Sequence, residues 1–161
     1  MTVEEYNKSV DLYSDGVYRF ILKNIKDEDE AKDVVQDTYE KLWVKSSEVT
    51  YAKVKSYLFS AAYHTMIDKI RKNKRITSIS DYSEDIGCCT DHYSGLGEVL
   101  GEALGKLPEI QKSVILLRDY EGYAYNEIAE ITNLTESQVK VYIYRGRVAL
   151  KKFIGKIEVL V

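Results

Sequence analysis

The chain has 161 residues, 45% of them hydrophobic and 30% charged, which is enough apolar content for one domain or two small ones. Its formal net charge of -3 excludes a protein that holds nucleic acid by overall attraction, so any such role must rest on local clusters of cations. The start, MTVEEYNKSVDLY, lacks a basic segment followed by an apolar one, and no apolar run approaches membrane-spanning length; the expectation is a cytoplasmic protein with no direct membrane insertion.

From Glu4 to Ile25, the residues Tyr6, Val10, Tyr13, Val17, Phe20 and Ile21 recur at three- and four-residue intervals, the period of an amphipathic helix. Asp27 to Glu30 breaks the pattern and offers an N-cap followed by acids in the first turn, where the helix dipole favours them. The second helix, Ala31 to Val44, has Ala31, Val34, Val35, Thr38, Leu42 and Trp43 as its apolar set. Asp33, Gln36, Asp37, Glu40 and Lys41 remain on the other face. By charge pattern alone that face is solvated, with a docking surface for a basic helical partner as the alternative.

A polar break at Ser46 to Lys53 precedes a third helix from Val54 to Asn73, with Val54, Tyr57, Leu58, Ala61, Ala62, Met66 and Ile70 as its apolar stripe. It runs into KIRKNKR, Lys69 to Arg75, which holds five cations and no acid. Cations suit the negative end of a helix dipole. Here Tyr51, Tyr57, Tyr63 and His64 lie upstream of them, and aromatics interleaved with cations stack bases and hold phosphates in single-stranded DNA.

Ile76 to Gly97 is rich in Ser, Asp, Thr and Gly without a sustained period and reads as a flexible linker. Within it, Cys88, Cys89 and His92 supply three metal ligands where a structural zinc site takes four, and adjacent cysteines grip one ion poorly. Reduced linker thiols, with no metal and no cofactor, are the expectation. A short helix follows from Glu98 to Lys106, and Pro108 opens the next, burying Val114, Ile115 and Leu117.

Tyr125 to Arg147 has helix-turn-helix spacing. Ile128 and Ala129 face the partner helix, Asn133 takes the left-handed turn, and Leu134, Val139 and Tyr142 close the small core. Thr135 caps the second helix through its hydroxyl, leaving Gln138, Lys140, Tyr144, Arg145 and Arg147 to project from it. The plain alternative is a helix pair in an ordinary bundle.

Taken together, DEAKDVVQDTYEKLW (Asp29 to Trp43), VKSYLFSAAYHTMIDKIRKNKR (Val54 to Arg75), a linker, and LPEIQKSVILLRDYEGYAYNEIAE (Leu107 to Glu130) followed by SQVKVYIYRGR resemble a bacterial RNA polymerase sigma factor of the extracytoplasmic-function group. The resemblance implies an all-α fold of two small helical domains. These are a region 2 bundle over 1–75 and a region 4 helix-turn-helix domain over 98–161, joined by the linker 76–97. It implies a protein that is not an enzyme but binds core RNA polymerase, directs it to specific promoters and assists promoter melting, with an anti-sigma factor as an expected further partner.

Carried over by position, the resemblance makes Asp33, Gln36, Asp37 and Glu40 the docking surface for the polymerase clamp helices. It assigns Tyr51, Lys53, Tyr57, Tyr63, His64, Arg71, Lys72, Lys74 and Arg75 to the unwound minus-10 element. Ser137, Gln138, Lys140, Tyr142, Tyr144, Arg145 and Arg147 fall to the duplex minus-35 element. Asp68 and Arg71 match a paired Asp and Arg of the family, whereas Lys32, Tyr57, Val141 and Tyr142 depart from its usual residues. Val141 and Tyr142 either contact a thymine methyl or pack. A stand-alone helix-turn-helix regulator and a metal-dependent enzyme using Cys88, Cys89 and His92 are the competing readings.

Overall fold

A computed structural model describes residues 1–77 and 95–158, and all regular structure among them is helical. The expected linker thiols Cys88 and Cys89, and His92, lie outside the described residues. The chain divides into two units, Met1–Cys89 and Thr90–Val161.

In the first unit, α1 spans Val3–Ile25. Thr2 and Glu5 start it reciprocally: Thr2 Oγ1 accepts from the Glu5 N–H at 3.2 Å, and the Glu5 carboxylate accepts from the Thr2 N–H at 2.9 Å. It ends on Lys26, whose φ of 61° lies in the left-handed region. The predicted cap then opens α2, Glu28–Val44, where Asp27 Oδ1 accepts from the Asp29 and Glu30 amides at 3.0 and 3.1 Å. A short 3-10 turn, Tyr51–Lys53, leads into α3, Val54–Thr77. This helix outlasts the expected end at Asn73 because nothing in Lys74–Thr77 breaks a helix. Instead of competing for the backbone, the Asn73 amide donates to Glu30 Oε1 at 3.0 Å.

These three helices pack on one another around Val17, Phe20, Ile21, Val34, Leu42, Leu58, Phe59 and Met66, each at most 1% exposed. Burying each such side chain contributes about 1.5–3 kcal/mol before the entropy of ordering is charged against it. Trp43 departs from the expected apolar set: it is 51% exposed and meets Tyr6 edge-on with ring centroids 5.0 Å apart. Its place inside is taken by Tyr39, whose hydroxyl donates to Ser9 O at 3.0 Å while Tyr6 donates to Tyr39 O at 3.2 Å. Burial holds the Tyr39 phenol well above its ordinary range.

The second unit contains α4, Gly95–Gly105, and α5, Glu109–Ile115, opened by Pro108 as expected. α5 runs on into a π-helical turn, Leu116–Tyr120, before α6, Tyr125–Thr132, and α7, Glu136–Glu158. α7 is the centre of this unit, packing on α4, α5 and α6. Its buried Val139 and Ile143 join Ile128, Ile131, Val114, Ile115, Leu116 and Leu117. α5 and α7 approach closely at Gly146, where a Cβ would run into Ile115 Cδ1 and sit 3.6 Å from Gln111 Cβ. Glycine is what lets α5 and α7 meet there.

Candidate functional site

The unburied face of α2 is built by spacing: 33, 36, 37 and 40 fall on one side, while Val34, Thr38 and Leu42 turn into the core. Asp33, Gln36 and Glu40 are exposed and Asp37 is half-buried. Asp37 Oδ2 lies 3.8 Å from Lys69 Nζ on α3, and Lys41 Nζ donates to Thr65 Oγ1 at 2.8 Å. Beside this face is an open groove of 520 Å³ lined by Asp37, Glu40, Lys41, Val44, Lys45 and Tyr57. Val44, 75% exposed, gives the groove a bare apolar wall. An acidic strip flanking an exposed apolar rim suits a basic amphipathic helix.

Along α3, the expected single-strand residues do not share one environment. Tyr51 sits in the 3-10 turn with Lys8 Nζ 5.9 Å from its ring centre, and Tyr57 is half-buried at the groove. His64 and Lys53 are exposed, as are Arg71, Lys72, Lys74 and Arg75. Tyr63 departs from the expectation. It is 6% exposed, part of the core, and meets the exposed His64 edge-on with ring centroids 5.3 Å apart. Its place in the helical period explains this, since 58, 59, 62, 63 and 66 form the stripe that faces α1 and α2.

In the second unit, the turn between α6 and α7 takes the predicted form. Asn133 has φ 58° and ψ 38°, and the Leu134 N–H donates to Ala129 O at 3.1 Å. Thr135 Oγ1 accepts from the Gln138 N–H at 3.2 Å and Gln138 Oε1 accepts from the Thr135 N–H at 3.0 Å. The carbonyl oxygen of Gln138, expected to project toward DNA, is thus engaged in its own helix start. Ser137, Lys140, Val141, Tyr144 and Arg145 form an exposed face at helical spacing, with Tyr144 70% exposed. Tyr142 is half-buried and flanks that face, whereas Val141 is exposed within it.

Several cations of this unit are engaged by acids, a carbonyl or an aromatic ring within it. Lys140 Nζ lies 3.5 Å from Glu136 Oε1 and 5.5 Å from the Tyr125 ring centre. Arg118 Cζ lies 4.5 Å from the centre of the same ring, and Arg118 donates from Nη1 to Tyr123 O at 2.9 Å. Arg147 donates to Asp119 Oδ1 at 2.6 Å, a hydrogen bond that raises its guanidinium above the ordinary value. Among the described residues no cluster of His, Cys, Asp and Glu is suited to a metal ion, and no helix is long and apolar enough to cross a membrane.

The arrangement is thus an acidic face and a cation-ended helix in one unit, and a helix-turn-helix with an exposed second helix in the other. The sequence matches Sigma-70 region 2 over residues 10–76 and Sigma-70, region 4 over residues 97–150. It is 30% identical over 158 residues to the ECF RNA polymerase sigma factor SigM of Bacillus subtilis, covering 94% of each chain. The chain belongs to the ECF RNA polymerase sigma factors. RNA polymerase sigma factor SigV of the same organism is 35% identical to this ECF sigma factor over 134 residues, 80% of this chain and 78% of that one. The fold matches that of the sigma factor RpoE, solved in complex with the anti-sigma factor NepR from Bartonella quintana. The TM-score is 0.83 and the identity 24%, over 95% of this chain and 98% of that one. As an ECF sigma factor, the protein binds core RNA polymerase and directs it to promoters for transcription initiation.

Proposed function

We propose that the two units divide promoter recognition between them. In the first, Asp33, Gln36, Asp37 and Glu40 dock on a basic helical surface of core RNA polymerase. Tyr51, Lys53, Tyr57, His64, Arg71, Lys72, Lys74 and Arg75 then capture the unwound minus-10 element. In the second, Ser137, Lys140, Tyr144 and Arg145, joined by Val141, read and grip the duplex minus-35 element. Capturing splayed bases requires rings and cations along a groove, while duplex readout requires a helix of major-groove size, so two separate surfaces suit the two tasks.

The observation that carries this reading is the face of α7. Its exposed residues are cations, a hydroxyl, an aromatic ring and a small apolar side chain, while its buried side holds Val139 and Ile143. Lys140 and Arg145 supply base-edge or phosphate contacts, and Val141 is the size and polarity to meet a thymine methyl. The protein contributes recognition and no covalent chemistry, and it acts in the cytoplasm where polymerase and promoter DNA are found. RpoE and CnrH are each solved bound to a partner, NepR and the cytosolic domain of CnrY respectively. An anti-sigma factor is accordingly proposed for this chain as well.

The docking part is tested by reversing charge at Asp33 and Glu40 together, as Asp33→Lys and Glu40→Lys. The expected result is loss of co-purification with core polymerase at unchanged helical content. Co-purification at the wild-type level would remove α2 from the docking role.

A further inference from the structure

We propose that Arg147 is a positioning residue, whose ion pair with Asp119 sets the rotation of α7 so that Lys140, Val141, Tyr144 and Arg145 meet the duplex. The inference rests on the reading of α7 as the minus-35 reader. Sequence spacing puts Arg147 seven residues after Lys140, two turns on and nearly on the same side of the helix, and so treats the two cations alike. Their surroundings differ. Arg147 makes a charge-assisted hydrogen bond of 2.6 Å to a carboxylate 28 positions away in sequence, on the π turn Leu116–Tyr120.

That turn is a built element. A π turn holds one residue more than the α-helical register, and here the two neighbouring side chains it carries point to different partners. Arg118 goes to Tyr123 O and the Tyr125 ring, at the start of α6, and Asp119 goes to Arg147 on α7. The Tyr125 ring in turn lies 5.5 Å from Lys140 Nζ. Immediately beside Arg147, Gly146 lets α7 close onto Ile115 of α5. An apolar close approach fixes the distance of α7 from α5, but a glycine against a methyl group does little to fix rotation. A directional ion pair one residue along supplies that constraint.

The sign of the effect at Asp119 decides the matter. Were Arg147 a phosphate contact, Asp119 would compete with DNA for it, and neutralising Asp119 would tighten binding. For a positioning residue, neutralising Asp119 weakens binding. The experiment uses holoenzyme reconstituted from the full chain and core polymerase, with a promoter duplex selected by that holoenzyme from a randomised library and a copy of it with a scrambled upstream element. Affinity is measured over a series of salt concentrations.

Asp119→Asn and Arg147→Gln are each expected to weaken binding by about two- to fivefold, the scale of a partly exposed ion pair. The double variant should be no weaker than either single one, and Asp119→Glu should retain most of the affinity. The preference for the selected over the scrambled duplex should fall with Asp119→Asn, which a general loss of stability would not produce. The slope of log affinity against log salt should stay at the wild-type value. Tighter or unchanged binding by Asp119→Asn, or a slope reduced by about one unit in Arg147→Gln, would overturn the proposal. Lys140→Ala and Arg145→Ala run alongside: weakening there without weakening at Asp119 removes only the positioning role, while no effect at any of the four removes the underlying reading too.

Discussion

Lys69 Nζ lies 3.8 Å from Asp37 Oδ2, so the helix that ends in the basic cluster is tied to the acidic face of α2. The two groups are partly exposed, and a pair of this kind contributes about 0–1 kcal/mol to folding. Its larger consequence is that Lys69 neutralises one of the acids proposed for docking. Lys69→Gln is expected to tighten core polymerase binding by about two- to fivefold in a competition assay, with thermal stability changed by less than about 1 kcal/mol. Weaker binding by this variant would mean that Asp37 is not a docking residue.

Among the described residues, two that are not glycine, Lys26 and Asn133, adopt left-handed backbone angles. For most side chains this costs about 1–2 kcal/mol, and Asn bears it better than Lys. Lys26→Gly should therefore stabilise the first unit by about 1 kcal/mol, whereas Asn133→Gly should change the second by only a few tenths. Asn133→Val should lower its stability by about 1–2 kcal/mol. Denaturant unfolding of the full chain followed by unit-specific probes separates these outcomes; equal effects of the two glycine substitutions would contradict the argument.

At Gly146, helix propensity and packing oppose each other. Alanine would gain about 1 kcal/mol of propensity. Its methyl would meet the Ile115 side chain in a buried contact, and overpacking of that kind costs about 1–3 kcal/mol. Packing wins, so Gly146→Ala is expected to lower the thermal midpoint. Ile115→Val removes the obstructing Cδ1, and the double variant should recover part of the loss. A stabilised Gly146→Ala protein would show that α5 and α7 are less closely apposed.

Tyr39 gives the first unit an alkaline limit. Its folded pKa is raised from 10.0 mainly by burial, and the charges of Tyr6 and Tyr13 add to the shift. A phenol whose folded pKa is raised contributes stability that is fully present below the unfolded pKa and lost as pH rises above it. The first unit should thus weaken above about pH 10. Tyr39→Phe should flatten that limb, at a cost of about 1 kcal/mol near neutrality from the lost bond to Ser9 O. An unchanged pH profile would assign the alkaline loss to other groups.

What the sequence conveyed was mostly local. Asp27, Asn133, Thr135 and Pro108 act on backbone groups within a few residues, so their roles as caps and turns follow from residue type and spacing. The helical periods likewise marked the core of each unit. What could not be read depends on partners distant in sequence. Arg147 finds Asp119 across 28 positions, Tyr63 turns inward against helices earlier in the chain, and Trp43 is left outside because Tyr39 fills the interior. Gln138 carries two readings at once, because its carboxamide oxygen closes a capping box while the residue stays exposed on α7.

The most direct test of a divided promoter reader is transcription in vitro from a promoter library randomised in both elements, with core polymerase and the wild-type chain or its variants, followed by sequencing of the transcripts. The wild-type protein should initiate from a restricted set sharing both elements. Lys140→Ala or Arg145→Ala should relax only the upstream one, and Tyr51→Ala or His64→Ala only the start-proximal one. Relaxation of the same element by both groups of substitutions, or initiation without preference at either element, would contradict the account.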